Sequence, residues 1–252
     1  MQAVLYVGHG SRLKAGVDEA IQFIERCKSR IDVPIQEICF LELAEPNIEE
    51  GIAKCVERGA TSIAVVPILL LTANHANEDI PFEIEVGKIL YPDVAFTYGK
   101  PLGIHSKIVD SLYDRIVEQQ VPIAEDAHVL LIGRGSSDPA VKRDLTEIAR
   151  LLKEKYSFSD VDISFLYGAK PSFEDALRQL KEARHQQVFI IPYLLFTGIL
   201  MKSIEKKVAQ QFSADQQLIL CNSLGYHEAV EEVLAERVNE LLETPEVWQL
   251  IS

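Results

Sequence analysis

The 252-residue chain contains an internal duplication, which limits the folds open to it more than any other feature. Gly8 recurs as Gly133 and Pro67 recurs as Pro192, so that both pairs lie 125 residues apart. Whole segments return with them in the same order, and chance would not keep one register over three separated segments. The pairs are VLYVGHGS at 4–11 with VLLIGRGS at 129–136, FLELAEP at 40–46 with FLYGAKP at 165–171, and VVPILLLT at 65–72 with IIPYLLFT at 190–197. We therefore expect two homologous lobes, 1–122 and 123–252.

Within each copy, short apolar runs alternate with segments of helical periodicity. Pro46 and Asn47 indicate the start of a helix that Gly59 would end. The runs of the first copy, which have the composition of fully buried parallel strands, are 3–7, 36–41, 62–68 and 94–97. The alternation predicts an α/β fold of two tandem lobes, each a small parallel sheet with helices on both faces, and a cleft between the lobes.

Composition and charge argue for a globular protein and against membrane-spanning and nucleic-acid-binding proteins. A content of 48% hydrophobic and 25% charged residues is that of a globular chain. Pro67 and Thr72 interrupt the longest apolar run, 63–73, and the first residues lack the basic segment of a signal peptide, so that a cytoplasmic protein without membrane helices is expected. The net charge of −13 argues against nucleic acid as a partner, although a local cationic patch can still bind an anionic small molecule.

The four cysteines are expected to be buried, reduced thiols. They are Cys27, Cys39, Cys55 and Cys221. None forms a C-x-x-C pair, so the usual signature of zinc ribbons, iron–sulfur clusters and thioredoxin-type redox sites is missing.

Three metal-capable side chains follow consecutive strands of the first copy. His9 ends the first strand, Glu42 ends the second, and His75 lies a few residues past the third. Ligands of open parallel sheets bind beyond the carboxyl ends of the strands, so we expect these side chains at one edge. The second copy has Arg134, Tyr167 and Leu200 at the same register, whereas the glycine and proline framework persists. Residues needed for folding should survive in both copies, and residues needed for one reaction need survive in only one.

Each of these residues also has a structural interpretation. His9 alone could be a hydrogen-bonded loop residue, and Glu42 alone an acid that interacts with a helix dipole. His75 could cap the helix that follows it, and Glu78 is interpreted as a first-turn acid of that helix. Three independent structural roles at one sheet edge are less plausible than one site. By the opposite logic, a histidine retained in both copies is expected to be structural, and His105 with its counterpart His227 is such a pair.

The sequence lacks the motifs of several other enzyme classes. Gly8 and Gly10 follow a strand, but Leu13 stands where a dinucleotide-binding G-x-G-x-x-G motif needs its third glycine. No G-x-x-x-x-G-K-[ST] loop provides a cradle for ATP, and no G-x-S-x-G nucleophile elbow is present.

The segments VGHGSR at 7–12, ELAEP at 42–46 and PILLLTANH at 67–75 resemble the class II chelatases of the CbiX/SirB type over the whole chain. The resemblance implies a lyase that inserts Fe²⁺ into sirohydrochlorin without ATP to give sirohaem. It implies His9 as metal ligand and proton acceptor, His75 as second ligand and Glu42 as their carboxylate partner. No permanent cofactor is implied, because the metal is a substrate. The residues implied to contact the macrocycle are Ser11, Glu45, Leu70, Leu71, Thr72, Ala73 and Asn74.

The second lobe is expected to bind substrate rather than metal. Where the first copy has His9 and Glu45, the second has Arg134 and Lys170, and Lys202 replaces Asn77. We expect Arg134 and Lys170 to contact peripheral carboxylates of the tetrapyrrole. Solvated surface cations are the alternative interpretation.

Three other functions remain open at this point. A cobalt chelatase of cobalamin synthesis would use the same residues, a non-catalytic metal or tetrapyrrole carrier would bind without turnover, and a two-lobe sugar or amino-acid binding protein would normally carry an export signal. A fused pair of lobes can build the cleft as a monomer.

Overall fold

The computed structural model describes residues 1–72, 75–183, 185–196, 198–210 and 216–243, and of His75 and Ile199 it describes the backbone alone. Within these residues, eight strands and eight α-helices alternate, as the sequence predicts. The first copy contains β1 (Gln2–Gly8), α1 (Lys14–Lys28), β2 (Ile35–Phe40), α2 (Ile48–Glu57), β3 (Ser62–Ile68), a π-helical turn (His75–Asp79), α3 (Ile80–Leu90), β4 (Ala95–Tyr98) and α4 (Ser106–Val117). The second contains β5 (His128–Gly133), α5 (Pro139–Tyr156), β6 (Asp160–Phe165), α6 (Phe173–Ala183), β7 (Gln187–Tyr193), α7 (Gly198–Ala209), β8 (Gln217–Leu220) and α8 (Glu228–Glu243).

The strands form two four-stranded parallel sheets with the same topology. Their orders are β2-β1-β3-β4 and β6-β5-β7-β8. From β1 the chain moves to one side to form β2 and then to the other side to form β3, so the direction of winding reverses between β1 and β3. Ligands of open α/β sheets bind at such a switch point, beyond the carboxyl ends of the strands.

The inner strands are buried because helices cover both faces of each sheet. In β1 every residue after Gln2 is buried, and β5 and β7 are buried throughout. These strands are rich in valine, isoleucine and leucine, as expected of parallel strands without a solvent face. All four cysteines are buried and unpaired, as the apolar periodicity around Cys27, Cys39 and Cys55 predicts for those three, and burial raises the pKa of Cys55 to about 12.

Local signals fix the helix that follows β2. The Asn47 side chain accepts a hydrogen bond from the Glu50 N–H, and the Glu50 carboxylate accepts one from the Asn47 N–H, which completes a capping box. Gly59 lies just past the end of α2 with φ +89, a left-handed conformation that favours glycine. Both ends of this helix were predicted from the sequence.

Residue contacts divide the described chain into two compact units that do not coincide with the two repeats. Of the described residues, those within 1–103 and 231–243 form unit 1, and those within 104–230 form unit 2. Helix α4 of the first repeat thus belongs to unit 2, where it packs on α5 and β7. Most of α8 belongs to unit 1, where Glu231 accepts a hydrogen bond of 2.5 Å from Arg26. The terminal helices of the two repeats are exchanged, and the repeat boundary near residue 122 is therefore not a boundary between contact units.

One arginine in each copy anchors the exchanged helix. In unit 2 the Arg115 guanidinium donates to the Gly225 carbonyl at 2.8 Å and to both carboxylate oxygens of Glu118. In unit 1 Arg237, 122 residues later, donates to the Pro101 and Leu102 carbonyls. Burial acts to raise the pKa of Glu118, but the hydrogen bond from Arg115 holds it below its ordinary value.

We expect Arg115→Met to reduce the free energy of unfolding by about 2–3 kcal/mol, because methionine keeps the packed stem but leaves buried carbonyl oxygens without a donor. Urea unfolding of the whole chain measures this loss. Arg150→Met is the matched control, since Arg150 ion-pairs with Glu147 and Glu154 on an exposed helix face and should cost less than about 1 kcal/mol. Equal losses in the two variants would contradict the anchoring role.

The histidines shared by both copies are structural, as the duplication predicts. His105 Nδ1 accepts a hydrogen bond from the Lys107 N–H at the start of α4, and His227 Nδ1 accepts one from the Ala229 N–H at the start of α8. Both bonds measure 3.2 Å. No helix of the described residues is both long and apolar enough to cross a membrane.

Candidate metal-handling site

The loops after β1 and β2 are joined through their backbones, which brings His9 and Glu42 together. Hydrogen bonds continue past the ends of the strands, from the Leu41 N–H to the Gly8 carbonyl at 2.8 Å and from the Glu42 N–H to the His9 carbonyl at 3.1 Å. Gly10 has φ +94, and a Cβ atom there would lie 1.7 Å from the Glu42 carbonyl oxygen. Only glycine permits this approach.

The side chains of His9 and Glu42 are spaced for a shared ion. His9 Nε2 lies 3.5 Å from Glu42 Oε1, and the two side chains are 19% and 46% exposed. Two ligand atoms that each lie about 2.1 Å from a metal at a tetrahedral angle are about 3.4 Å apart. The observed separation therefore suits a first-row divalent ion, and the partial exposure leaves room for a substrate on the open side.

The third predicted ligand, His75, belongs to the π-helical turn His75–Asp79. This turn follows β3, and β3 pairs with β1 so that Ile68 lies opposite Gly8. The turn thus follows the strand that pairs with β1, on the other side of the switch point from β2. In the second copy the corresponding segment is the regular helix α7. π-Helical turns are frequent at functional sites. The copy that carries His75 is thus also the one whose backbone has such a turn at this position.

Tyr98 on β4 fixes the π-helical turn. Its hydroxyl donates a hydrogen bond of 2.8 Å to the carbonyl oxygen of Ala76, the residue after His75. Burial raises the pKa of Tyr98, so the hydroxyl stays a donor over the whole physiological range. The chain has Leu220 at the matching position of β8 in the second copy, so this anchor belongs to the first copy alone.

We expect Tyr98→Phe to lower the rate of the reaction at this site by about tenfold, because it leaves the Ala76 carbonyl without its donor and loosens the segment that carries His75. Initial rates at increasing metal concentration measure the effect, which should appear in the KM for the metal. Tyr6→Phe is the control, since the Tyr6 hydroxyl donates to Gln36 at 2.8 Å on the adjacent strands. If both variants react at the same rate, Tyr98 has a purely structural role.

The structure places the other predicted substrate residues of the first copy in three environments. The Ser11 hydroxyl accepts a hydrogen bond from the Leu13 N–H and so stabilises its own turn. Glu45 accepts one from the Asn47 N–H at the start of α2, and the hydrogen bond with Glu50 raises the pKa of Glu45. Leu70, Leu71 and Thr72 are half-buried, and Ala73 and Asn74 lie outside the described residues.

The second copy repeats the backbone of the site with different side chains. Gly135 has φ +92, and the Tyr167 N–H donates to the Arg134 carbonyl at 3.0 Å, as Glu42 does to His9. The Lys170 side chain is 79% exposed and lies 3.2 Å from the Asp175 carboxylate. Hydrogen bonds from Ser172 and Lys170 lower the pKa of Asp175 to about 2.

Two features of the site were not predicted from the sequence. Tyr98 is one, and its only signal in the sequence is that the second copy has Leu220 at the matching position. The other is Leu43, which has φ +64 and is 45% exposed beside Glu42. A leucine in the left-handed region is strained. Its counterpart Gly168 has φ +66, and a comparison of the two copies at this position could have indicated the strained turn.

Comparisons with known proteins agree over nearly the whole chain. The CbiX family model matches residues 3–119 and 128–241. A sirohydrochlorin ferrochelatase of Priestia megaterium is 54% identical over 242 residues, which make up 96% of this chain and 91% of that protein. The structure of SirB from Bacillus subtilis with Fe³⁺ is 48% identical, has a TM-score of 0.87 and covers 95% of this chain and 94% of its own.

A second solved structure is that of the sirohydrochlorin chelatase SirB from Bacillus subtilis subspecies spizizenii in complex with cobalt. It is 44% identical, with a TM-score of 0.86, and covers 97% of this chain and 96% of its own. Both the sequence and the fold match over both copies. The chain therefore belongs to the CbiX family.

Proposed function

We propose that the protein is a sirohydrochlorin ferrochelatase, which inserts Fe²⁺ into sirohydrochlorin without ATP and releases two pyrrole protons to give sirohaem. The observation that carries the proposal is the pair His9 and Glu42, 3.5 Å apart at the switch point of the one sheet whose copy also carries His75. The similarity to proteins named as sirohydrochlorin ferrochelatases supports the choice of substrate.

The chemistry requires a weakly held metal and a base. His9 Nε2, Glu42 and His75 hold Fe²⁺, an ion for which imidazole and carboxylate are suitable ligands. A site of few ligands keeps the ion transferable, whereas a closed cage would retain it. As the ion passes into the ring, a released imidazole accepts one of the two leaving protons and solvent water accepts the other. Imidazole suits this role because its ordinary pKa of about 6.5 makes it a base near neutrality.

The half-buried loop after β3 and the exposed Leu43 provide an apolar surface for the flat face of the macrocycle. Leu70 and Leu71 belong to this loop, and the Gly103 N–H donates to the Leu70 carbonyl at 2.9 Å. This hydrogen bond fixes the backbone at Leu70, and we expect the ring to pack on the neighbouring leucine side chains. Ser11 and Glu45 lie on the neighbouring loops and complete the proposed substrate contacts.

The second copy contributes cations for the tetrapyrrole carboxylates in this proposal. Arg134 replaces His9 on the same backbone, and its guanidinium suits bidentate contacts with a carboxylate. The exposed Lys170 ammonium group forms an ion pair with the Asp175 carboxylate, which offsets its positive charge. We therefore expect Lys170→Ala to raise the KM for the tetrapyrrole less than Arg134→Ala does. Steady-state kinetics of Arg134→Ala and Lys170→Ala should give a raised KM for the tetrapyrrole and little change in kcat. An unchanged KM in both variants would remove these residues from the proposed site.

The proposed function is tested by mixing the protein with sirohydrochlorin and Fe²⁺, Co²⁺ or Ni²⁺ in the absence of ATP and following absorbance. A ferrochelatase gives many turnovers with Fe²⁺. A cobalt chelatase would prefer Co²⁺, an alternative that the cobalt complex of a relative keeps open. A carrier would give a spectral change that stops at one equivalent of protein, and that result would overturn the proposal.

A further inference from the structure

A second group of metal-capable side chains lies at the amino end of the second sheet, opposite the strand ends that carry Arg134 and Tyr167. His128 is the first residue of β5 and Asp160 the first residue of β6, and the two are paired across the sheet. Asp162 lies two residues along β6 and therefore on the same face as Asp160. The ligand atoms of these three side chains all lie within 4.8 Å of one another.

His128 is the unusual member of the group, because it is buried without hydrogen bonds. Its side chain is 2% exposed, and neither ring nitrogen has a hydrogen-bond partner among the residues that the structure describes. Nε2 nevertheless lies 3.2 Å from Asp162 Oδ2, in a contact that lacks the direction of a hydrogen bond. Buried polar atoms are normally satisfied, and an unsatisfied one carries a penalty of about 1–3 kcal/mol. An ion held between Nε2 and the aspartates would remove it.

A second histidine holds the ring of His128 in place. The His185 ring stacks on it with a centroid distance of 4.3 Å, and the Gln216 side chain donates to the His185 carbonyl at 2.8 Å. Burial, and then the neighbouring His128, lowers the pKa of His185.

The duplication supplies an internal comparison for this group. At the matching register the first copy has Ala3 for His128, Ile35 for Asp160 and Ala60 for His185, and all three of these are buried. Glu37 matches Asp162 and forms an ion pair with Arg58. The fold thus needs no imidazole or carboxylate at His128, Asp160 and His185. The buried imidazole of His128, where the first copy has alanine, has a desolvation cost that a bound ligand would offset.

We propose that His128, Asp160 and Asp162 form a second binding site for a first-row divalent metal ion, with His185 as the positioning residue of His128. One imidazole and two carboxylates, without thiolates, form a donor set that such ions accept. Aspartates that are 54% and 62% exposed allow the ion to enter from solvent and water molecules to complete its coordination. The site is separate from the proposed catalytic ligands, which belong to the first sheet.

The positive charge of Lys153 would repel a cation at this site, so its removal tests the proposal. Its ammonium group lies 2.9 Å from Asp160 Oδ1, so it competes with a cation for that carboxylate. We expect Lys153→Gln to tighten Co²⁺ binding at this site several-fold, because it removes a positive charge and frees an oxygen ligand. A purely structural cluster would show no such gain.

Titration of the whole chain with Co²⁺, followed by calorimetry and by visible absorption of the bound ion, tests the proposal. We expect the His9→Ala protein, which lacks a catalytic ligand, to retain one Co²⁺ equivalent. Adding His128→Ala or Asp162→Asn to that background should remove it, whereas adding Glu37→Gln should not. Position 3 shows that alanine fits this strand end, and the exposed Asp162→Asn change tests the site even if His128→Ala fails to fold. Retention of the equivalent in the Asp162→Asn protein, or no bound ion in the His9→Ala protein, would overturn the proposal.

Discussion

Replacing His9 with alanine is expected to reduce the rate of Fe²⁺ insertion by about 10²–10⁴-fold, the usual contribution of a group that acts as acid or base. In the proposed reaction the variant loses a metal ligand and a proton acceptor together, and Glu42 is left without its partner at 3.5 Å. The fold should survive, because the side chain is partly exposed and the backbone bonds of the loop do not involve the imidazole. Initial rates of metal insertion under anaerobic conditions measure the loss.

His227→Ala is the matched control for that experiment. His227 is also a partly exposed histidine, but its side chain caps α8 and it has a counterpart in His105. Removal of a cap should cost about 1 kcal/mol of stability and leave insertion nearly unchanged. If His9→Ala retained more than a third of the wild-type rate, or if both variants lost activity equally, the proposed site would be wrong.

The duplication made most of the fold and part of the site predictable. Each strand occurs twice in the sequence with a similar apolar run, so the inner strands could be assigned without a structure. The helix that begins after Asn47 could be assigned from its own start and end signals. The copies also separate scaffold from chemistry, because Gly10 and Gly135 keep the same φ while His9 and Arg134 differ. The adjacency of His9 and Glu42 follows from parallel strands that end at one edge.

The exchange of the terminal helices could not be predicted in the same way. The periodicity of α4 indicates which face is apolar, but it does not indicate which sheet that face covers. Arg115 and Arg237 look like ordinary helix residues in the sequence, and their hydrogen bonds to distant carbonyl groups exist only in the folded units. The strain at Leu43 is indicated in the sequence only by its counterpart Gly168, because glycine is favoured where φ is positive.

Replacing Gly10 with alanine should have the largest effect on stability of any single methyl group in the first copy. The new Cβ would lie 1.7 Å from the Glu42 carbonyl oxygen, at a backbone with φ +94. The loop must move, and the strain and the broken contact together should cost about 3 kcal/mol or more of unfolding free energy. Displacement of the Glu42 backbone also changes its distance from His9, so that insertion should fail even below the unfolding transition.

Gly135→Ala separates the two consequences. In the second copy the same methyl group would lie 1.8 Å from the Tyr167 carbonyl oxygen, at φ +92. The loss of stability should therefore be similar, while the His9 and Glu42 pair stays undisturbed. Thermal unfolding compares the stabilities of the two variants. Their insertion rates are compared at a temperature at which both variants are folded. Saturating tetrapyrrole is used, so that a weaker contact with Arg134 does not limit the rate. Because the two substitutions impose the same strain on the same scaffold, a loss of kcat in Gly10→Ala alone assigns the chemistry to the first copy. An equal loss of kcat in Gly135→Ala would mean that the reaction depends on both copies.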